Sequence, residues 1–163
     1  MRPLTFEEID SHWNLNSNLT PSEAPRLIEK MKENQPDAFS YLLSSGNDLL
    51  EPPEREVVFY TGVIIWYIID SLHITLPTLK LAAIFEKEET NIRMLEYLSG
   101  EPDVDFNDTV DKIMNTYNQS VFLRYIIDRL LEEQRADSGI NRNHLGMIVI
   151  YLKTFIDCID AAV

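Results

Sequence analysis

Val57-Val-Phe-Tyr-Thr-Gly-Val-Ile-Ile-Trp-Tyr-Ile-Ile69 holds thirteen residues, of which only Thr61 and Gly62 are not large and apolar. Such a stretch has no polar face to turn to water, so it belongs in the middle of a packed core. Its Val, Ile, Phe, Tyr and Trp content suits a strand as well as a helix. Length separates the two: the segment follows Pro52-Pro53-Glu54 and runs to about His73, which outruns a typical strand. The reading is a central buried helix, with a buried strand as the alternative. Gly62 costs that helix about 1 kcal/mol relative to alanine, which points to another helix crossing closely there.

Helix signals continue on both sides. Thr5 followed by Glu8 is a capping box, and Thr20-Pro21-Ser22-Glu23 repeats it with proline at the first helical position. Leu27, Ile28 and Met31 give that helix an apolar stripe. Pro36 opens a short helix that Gly46 closes in a left-handed conformation. Pro77-Thr78 starts a further helix that ends near Gly100. The span from Phe106 to Gln134 is helical in pattern, broken around Asn118-Gln119-Ser120 and closed by Gly139. Asn141 or Asn143 caps the last helix, whose core face includes Leu145, Ile148, Leu152, Phe155 and Ile159. No connection is long enough to separate two domains. The prediction is an all-α, single-domain bundle of about six or seven helices over residues 1–163.

Shifting the chain by 84 residues lays 35–73 on 119–157, with Gln35 on Gln119, Gly62 on Gly146 and Tyr67 on Tyr151. A duplication would place two related halves about an approximate twofold axis, with the two glycine helices adjacent at its centre. The alternative is that apolar helices resemble one another.

A chain of 163 residues buries roughly 70% of its unfolded surface and folds without disulfide or metal. Its net charge of −13 repels phosphate, which disfavours nucleic acid and anionic membranes alike. A basic protein partner is the complementary expectation. Cys158 is the only cysteine, so internal disulfides are excluded and a reducing compartment fits. Met1-Arg2-Pro3-Leu4-Thr5-Phe6-Glu7-Glu8 carries no signal-peptide pattern, and the apolar run is too short to span a bilayer. Cytoplasmic location is the expectation.

Several groupings could carry chemistry. Asp70 and His73 stand three apart and would share a helix face as metal ligands, but a polar helix end is the preferred reading. Glu88 falls within the stripe Leu81, Phe85, Glu88, Ile92, Leu95, where burial would raise its pKa. The preferred account is either a helix break within Glu86–Asn91, with Thr90 capping a new helix, or a snorkelling, paired Glu88. Asp103-x-Asp105-x-Asn107 opens like a calcium loop, then fails at Asp108, where glycine is required, and at Met114, where glutamate is required. Cys158 lacks a sequence-adjacent base, with only His12, His73 and His144 to serve, and reads as core filler. Nucleophile elbows and glycine-rich phosphate loops are absent from the sequence.

Glu86-x-x-Glu89 followed by Asp108-x-x-Asp111 resembles the carboxylate pairs with which helical nucleoside triphosphate pyrophosphatases hold Mg²⁺. The second pair departs from that pattern, whose first position is glutamate. Basic residues for a triphosphate are sparse nearby (Lys87, Arg93, Lys112). The resemblance implies a Mg²⁺-dependent nucleotide phosphohydrolase with Glu86, Glu89, Asp108 and Asp111 as metal ligands. The preferred reading is instead a non-enzymatic interaction or regulatory protein without a cofactor, binding a basic protein or a second copy of itself.

Overall fold

The computed structural model describes residues 1–17, 19–20, 22–100, 111, 114–136 and 139–163. Its elements are α1 (Phe6–Ser17), α2 (Glu23–Asn34), α3 (Pro36–Ser44), α4 (Pro52–Ser71), α5 (Leu81–Gly100), α6 (Ser120–Arg135), a 3-10 turn (Arg142–His144) and α7 (Leu145–Ala162). The fold is all-helical, and no strand occurs among the described residues. The decisive stretch is helix α4, not a core strand.

Local chemistry sets most helix starts. Before α1 the Thr5 hydroxyl accepts from Glu8 N at 3.3 Å, while Glu8 Oε2 accepts from Thr5 N at 2.9 Å. Together these satisfy two amides that the helix itself leaves unpaired. Before α2 the Glu23 carboxylate returns to Thr20 N at 2.8 Å. Gly46 follows α3 with φ 73°, the left-handed turn that a side chain would oppose. Residues 106–110, 112 and 113 lie outside the described residues; a turn follows 114–116 and precedes α6 at Ser120, and Asn141 Oδ1 caps the 3-10 turn through Asn143 N at 2.9 Å.

Two helices, not one, form the centre. Both α4 and α7 are surrounded: along α7 every residue from Ile150 to Ile156 is buried, including Lys153 and Thr154. These helices lie against each other. Around them α1 packs on α4 and α5 on α7, while α3 touches α4 and α5, and α6 touches α7 and α1. The α1–α4, α3–α4 and α3–α5 contacts have counterparts in α5–α7, α6–α7 and α6–α1, whereas α2, which packs on α3 and α4, has none among the described elements. At Gly62 an added Cβ would stand 2.5 Å from Leu42 Cδ1, so the close crossing expected there belongs to α3. Gly146 differs, with its nearest neighbour, Leu95 of α5, at an ordinary 3.6 Å.

Two buried glutamines hold the extended segments. Gln35 Oε1 accepts from Leu79 N at 2.9 Å and its Nε2 donates to Pro77 O at 3.1 Å. Gln119 does likewise at the other end, accepting from Leu4 N at 3.2 Å and donating to Arg2 O at 2.9 Å. Each glutamine immediately precedes a helix and fastens the strand of chain that precedes another.

Three local expectations are corrected. Helix α5 begins at Leu81 rather than Pro77-Thr78, because Gln35 holds 76–79 extended and Asp37 Oδ2 of α3 accepts from Leu81 N at 3.1 Å. The cap comes from across the fold. Helix α5 does not break over Glu86–Asn91: Thr90 turns its hydroxyl back to Glu86 O at 3.0 Å instead of capping a new helix. Helix α4 ends at Ser71, so His73 lies beyond it and shares no helix face with Asp70. His73 takes φ 56°, with His73 N donating to Asp70 O at 3.0 Å and Ile74 N to Ile69 O at 3.2 Å. That pair of bonds is a Schellman ending with histidine in the place glycine usually takes.

Candidate functional site

The paired carboxylates of the Mg²⁺ reading are only partly in view. Glu86 and Glu89 are exposed on α5, where Glu89 Oε1 pairs with Arg93 at 2.5 Å. Asp111 is exposed and lies 3.8 Å from Arg124 of α6. Asp108 lies outside the described residues, as do Asp103, Asp105 and Asn107. Among the described residues no group of three or more His, Cys, Asp or Glu side chains could hold a metal ion.

Two of the three histidine rings are engaged in structure. His12 Nδ1 lies 2.7 Å from Glu8 O of its own helix. His144 Nδ1 lies 2.8 Å from Glu54 Oε2, and Glu54 is fully buried. Burial by itself would raise the Glu54 carboxyl, yet His144 and the amides of Glu51 and Asn141, both at 2.8 Å, hold it below the ordinary carboxylate value. Asp70 is taken by Lys30 at 2.6 Å. Burial pushes the Cys158 thiol up to about 12, which leaves no thiolate for nucleophilic work at neutral pH.

Sequence reasoning missed a polar network between α5 and α7. Lys153 Nζ donates to Asn91 Oδ1 at 2.9 Å and to Asp157 Oδ2 at 2.7 Å, and stands 4.5 Å from the centre of the Tyr117 ring. Asn91 Nδ2 donates to Asp157 at 2.8 Å and to the Thr154 hydroxyl at 3.1 Å; Tyr117 O–H donates to Asp157 Oδ1 at 2.7 Å. Burial, then the Asp157 charge, pushes the Tyr117 phenol far above its usual value. Two of the lysine's three donors are taken by Asn91 and Asp157 and the Tyr117 ring lies against the ammonium, so the network acts as a brace. One signal was available: Lys153 and Asp157 stand four apart inside an otherwise apolar helix.

The grouping with unused capacity lies beside it. A cleft of about 280 Å³ opens between the 44–49 loop, α5 and α7, lined among others by Tyr41, Asp48, Phe85, Glu88 and Tyr151. The apolar stripe of α5 carries Glu88 there, half buried. Desolvation raises its carboxyl pKa, and no hydrogen bond or ion pair offsets this among the described residues. Glu88 is thus neither a break nor a paired surface acid. Tyr41 is 2% exposed, and its buried hydroxyl lies near Ser45 and Thr154 without a well-formed hydrogen bond to either. Burial and then the Glu88 charge push that phenol well up, and Tyr151 moves the same way. Phe85 and Leu49 stand exposed at the rim, 52% and 46%. No Lys, Arg or His lines the cleft among the described residues. Such a place attracts positive charge and offers apolar contact beside it.

No helix among the described residues is long and apolar enough to cross a membrane. Comparison of the chain with protein-family models, with curated proteins and with solved structures found no match, so the reading of this site rests on its geometry alone.

Proposed function

We propose that this protein is a non-catalytic, acidic helical module that binds a basic partner protein through the cleft beside Glu88. The observation that carries the proposal is a half-buried carboxylate without a counter-ion among the described residues, set among aromatic rings and rimmed by exposed Phe85 and Leu49. A buried charge without a partner is costly, and a cation arriving from outside relieves that cost. The net charge of −13 would steer such a partner toward the surface before contact. Exposed apolar side chains beside the charge supply the desolvated contact area that holds a complex once formed.

Fluorescence anisotropy tests the proposal with labelled peptides of equal length that are arginine-rich, lysine-rich, neutral or acidic. Measurements run at low and at physiological salt. The basic peptides should bind and keep measurable affinity at physiological salt, with Phe85→Ala weakening them. Equal behaviour of basic and neutral peptides would refute the proposal. Light scattering over a dilution series separates this from self-association, which the proposal does not require.

A further inference from the structure

We propose that the cleft between α5, α7 and the 44–49 loop seats a single arginine side chain of the partner, its guanidinium facing Glu88 and lying against the exposed ring of Phe85. This rests on the basic-partner reading above and names the group that the site takes.

Three properties of the cleft select the ligand. Its volume, about 280 Å³, falls below the ~300–1,000 Å³ of pockets for whole drug-sized ligands, and suits one side chain. Its accessible acceptors are two carboxylates, Glu88 half buried in the cleft and Asp48 at the exposed edge, while the Tyr41 hydroxyl lies buried behind the wall. An ammonium has three donors around a point, whereas a guanidinium has five in a plane and reaches a carboxylate with two at once. The walls are aromatic, with the Tyr41 and Phe85 rings meeting edge-on at 6.3 Å between centres. Guanidinium is more weakly hydrated than ammonium and is attracted to ring faces, so it loses less on leaving water for such a place.

Among the described residues no cation pairs with Glu88, and Arg55, which reaches the 44–49 loop, donates to Asn47 at 2.8 Å. Arg93, on the same helix, is taken by Glu89. Lys153 of α7 is held by Asn91 and Asp157. The partner must bring its own.

The test follows amide resonances of the full chain by NMR during titration with capped arginine (N-acetyl-arginine-methylamide), capped lysine and Mg²⁺ in separate arms. Variants are Glu88→Gln, Phe85→Ala and Glu133→Gln. Glu133 of α6 is, like Glu88, a carboxyl raised by desolvation, but it lines no part of the cleft, so its variant controls for the loss of one charge. Capped arginine should shift residues 44–49 and 85–88 saturably. Affinity should fall about tenfold or more in Glu88→Gln and severalfold in Phe85→Ala, and stay within twofold in Glu133→Gln. Thermal unfolding of each variant shows that it is folded.

The inference is overturned if arginine shifts other residues, or if Glu88→Gln weakens binding no more than Glu133→Gln. Capped lysine binding as tightly as capped arginine would overturn the guanidinium assignment, and Mg²⁺ saturating the same resonances would replace it with a metal site. The two readings fail separately. Basic peptides that weaken in Glu88→Gln while capped arginine binds no better than capped lysine leave the module reading standing and remove the arginine seat; basic peptides that do not bind wild type, or bind Glu88→Gln alike, remove both.

Discussion

Replacing Asp157 with alanine tests the energetic reading of the α5–α7 junction. Asp157 accepts from Lys153, Asn91 and Tyr117 at once, at 2.7, 2.8 and 2.7 Å. Its side chain is 14% exposed and that of Lys153 9%. Removing the carboxylate strands a buried ammonium with Asn91 alone as acceptor and leaves the Tyr117 hydroxyl without its partner. Breaking one side of a buried ion pair costs about 3–5 kcal/mol, a large share of the ~5–15 kcal/mol that keeps a domain folded. In a chain of this size that corresponds to a melting temperature lower by roughly 6–20 °C. The same four-residue spacing on the surface provides the comparison. Glu89 and Arg93 are 66% and 72% exposed, and an exposed pair of that kind contributes about 0.3–0.5 kcal/mol. Glu89→Ala should therefore move the midpoint by only about 1–2 °C. Scanning calorimetry with urea denaturation reads both variants. Lys153→Met combined with Asp157→Asn removes both charges together and should be less destabilised than the sum of its single variants. If Asp157→Ala costs no more than Glu89→Ala, or if the singles simply add, the network is not the brace described here.

Gly62→Ala should destabilise by about 1–3 kcal/mol because the new methyl would meet Leu42 Cδ1 at 2.5 Å. Gly146→Ala, with Leu95 at 3.6 Å, should be neutral or stabilising by up to about 1 kcal/mol; urea midpoints that rank the two the other way refute the crossing argument. His73→Gly should stabilise by about 0.5–1 kcal/mol, since glycine accepts the φ of 56° without a Cβ penalty, and an unchanged midpoint would count against that strain. Glu54 has a folded pKa below its unfolded value, so the stability it adds is present above the ordinary carboxylate range and is lost as pH falls through the folded value. Wild type should therefore lose more stability than Glu54→Gln between pH 7 and acid, measured by urea midpoints; parallel curves would refute the assignment.

Helix starts that depend on neighbouring residues could be read in advance. Thr5 with Glu8 and Gly46 after α3 behave as their spacing requires, because a cap is a contact within four residues. The start of α5 could not be read, since Asp37 and Gln35, more than forty positions away, decide where it begins. Continuity through Glu86–Asn91 was equally hidden. A polar run looks like a break unless one knows that Asn91 faces Lys153 and that Glu88 faces a cleft. The two glutamines aligned by the 84-residue shift do the same work, while the two aligned glycines have different neighbours. Of the candidate site, only Glu88 was singled out in the sequence; Tyr41, Phe85 and Tyr151 looked like ordinary core aromatics.

The all-helical class, the buried character of α4 and the acidic surface follow from the sequence alone, because periodicity, capping and charge are local or additive properties. The second central helix, the Lys153 brace and the cleft around Glu88 exist only in the tertiary structure. Each depends on which side chains distant segments bring together, and on burial, which gives an ordinary glutamate or lysine its chemistry.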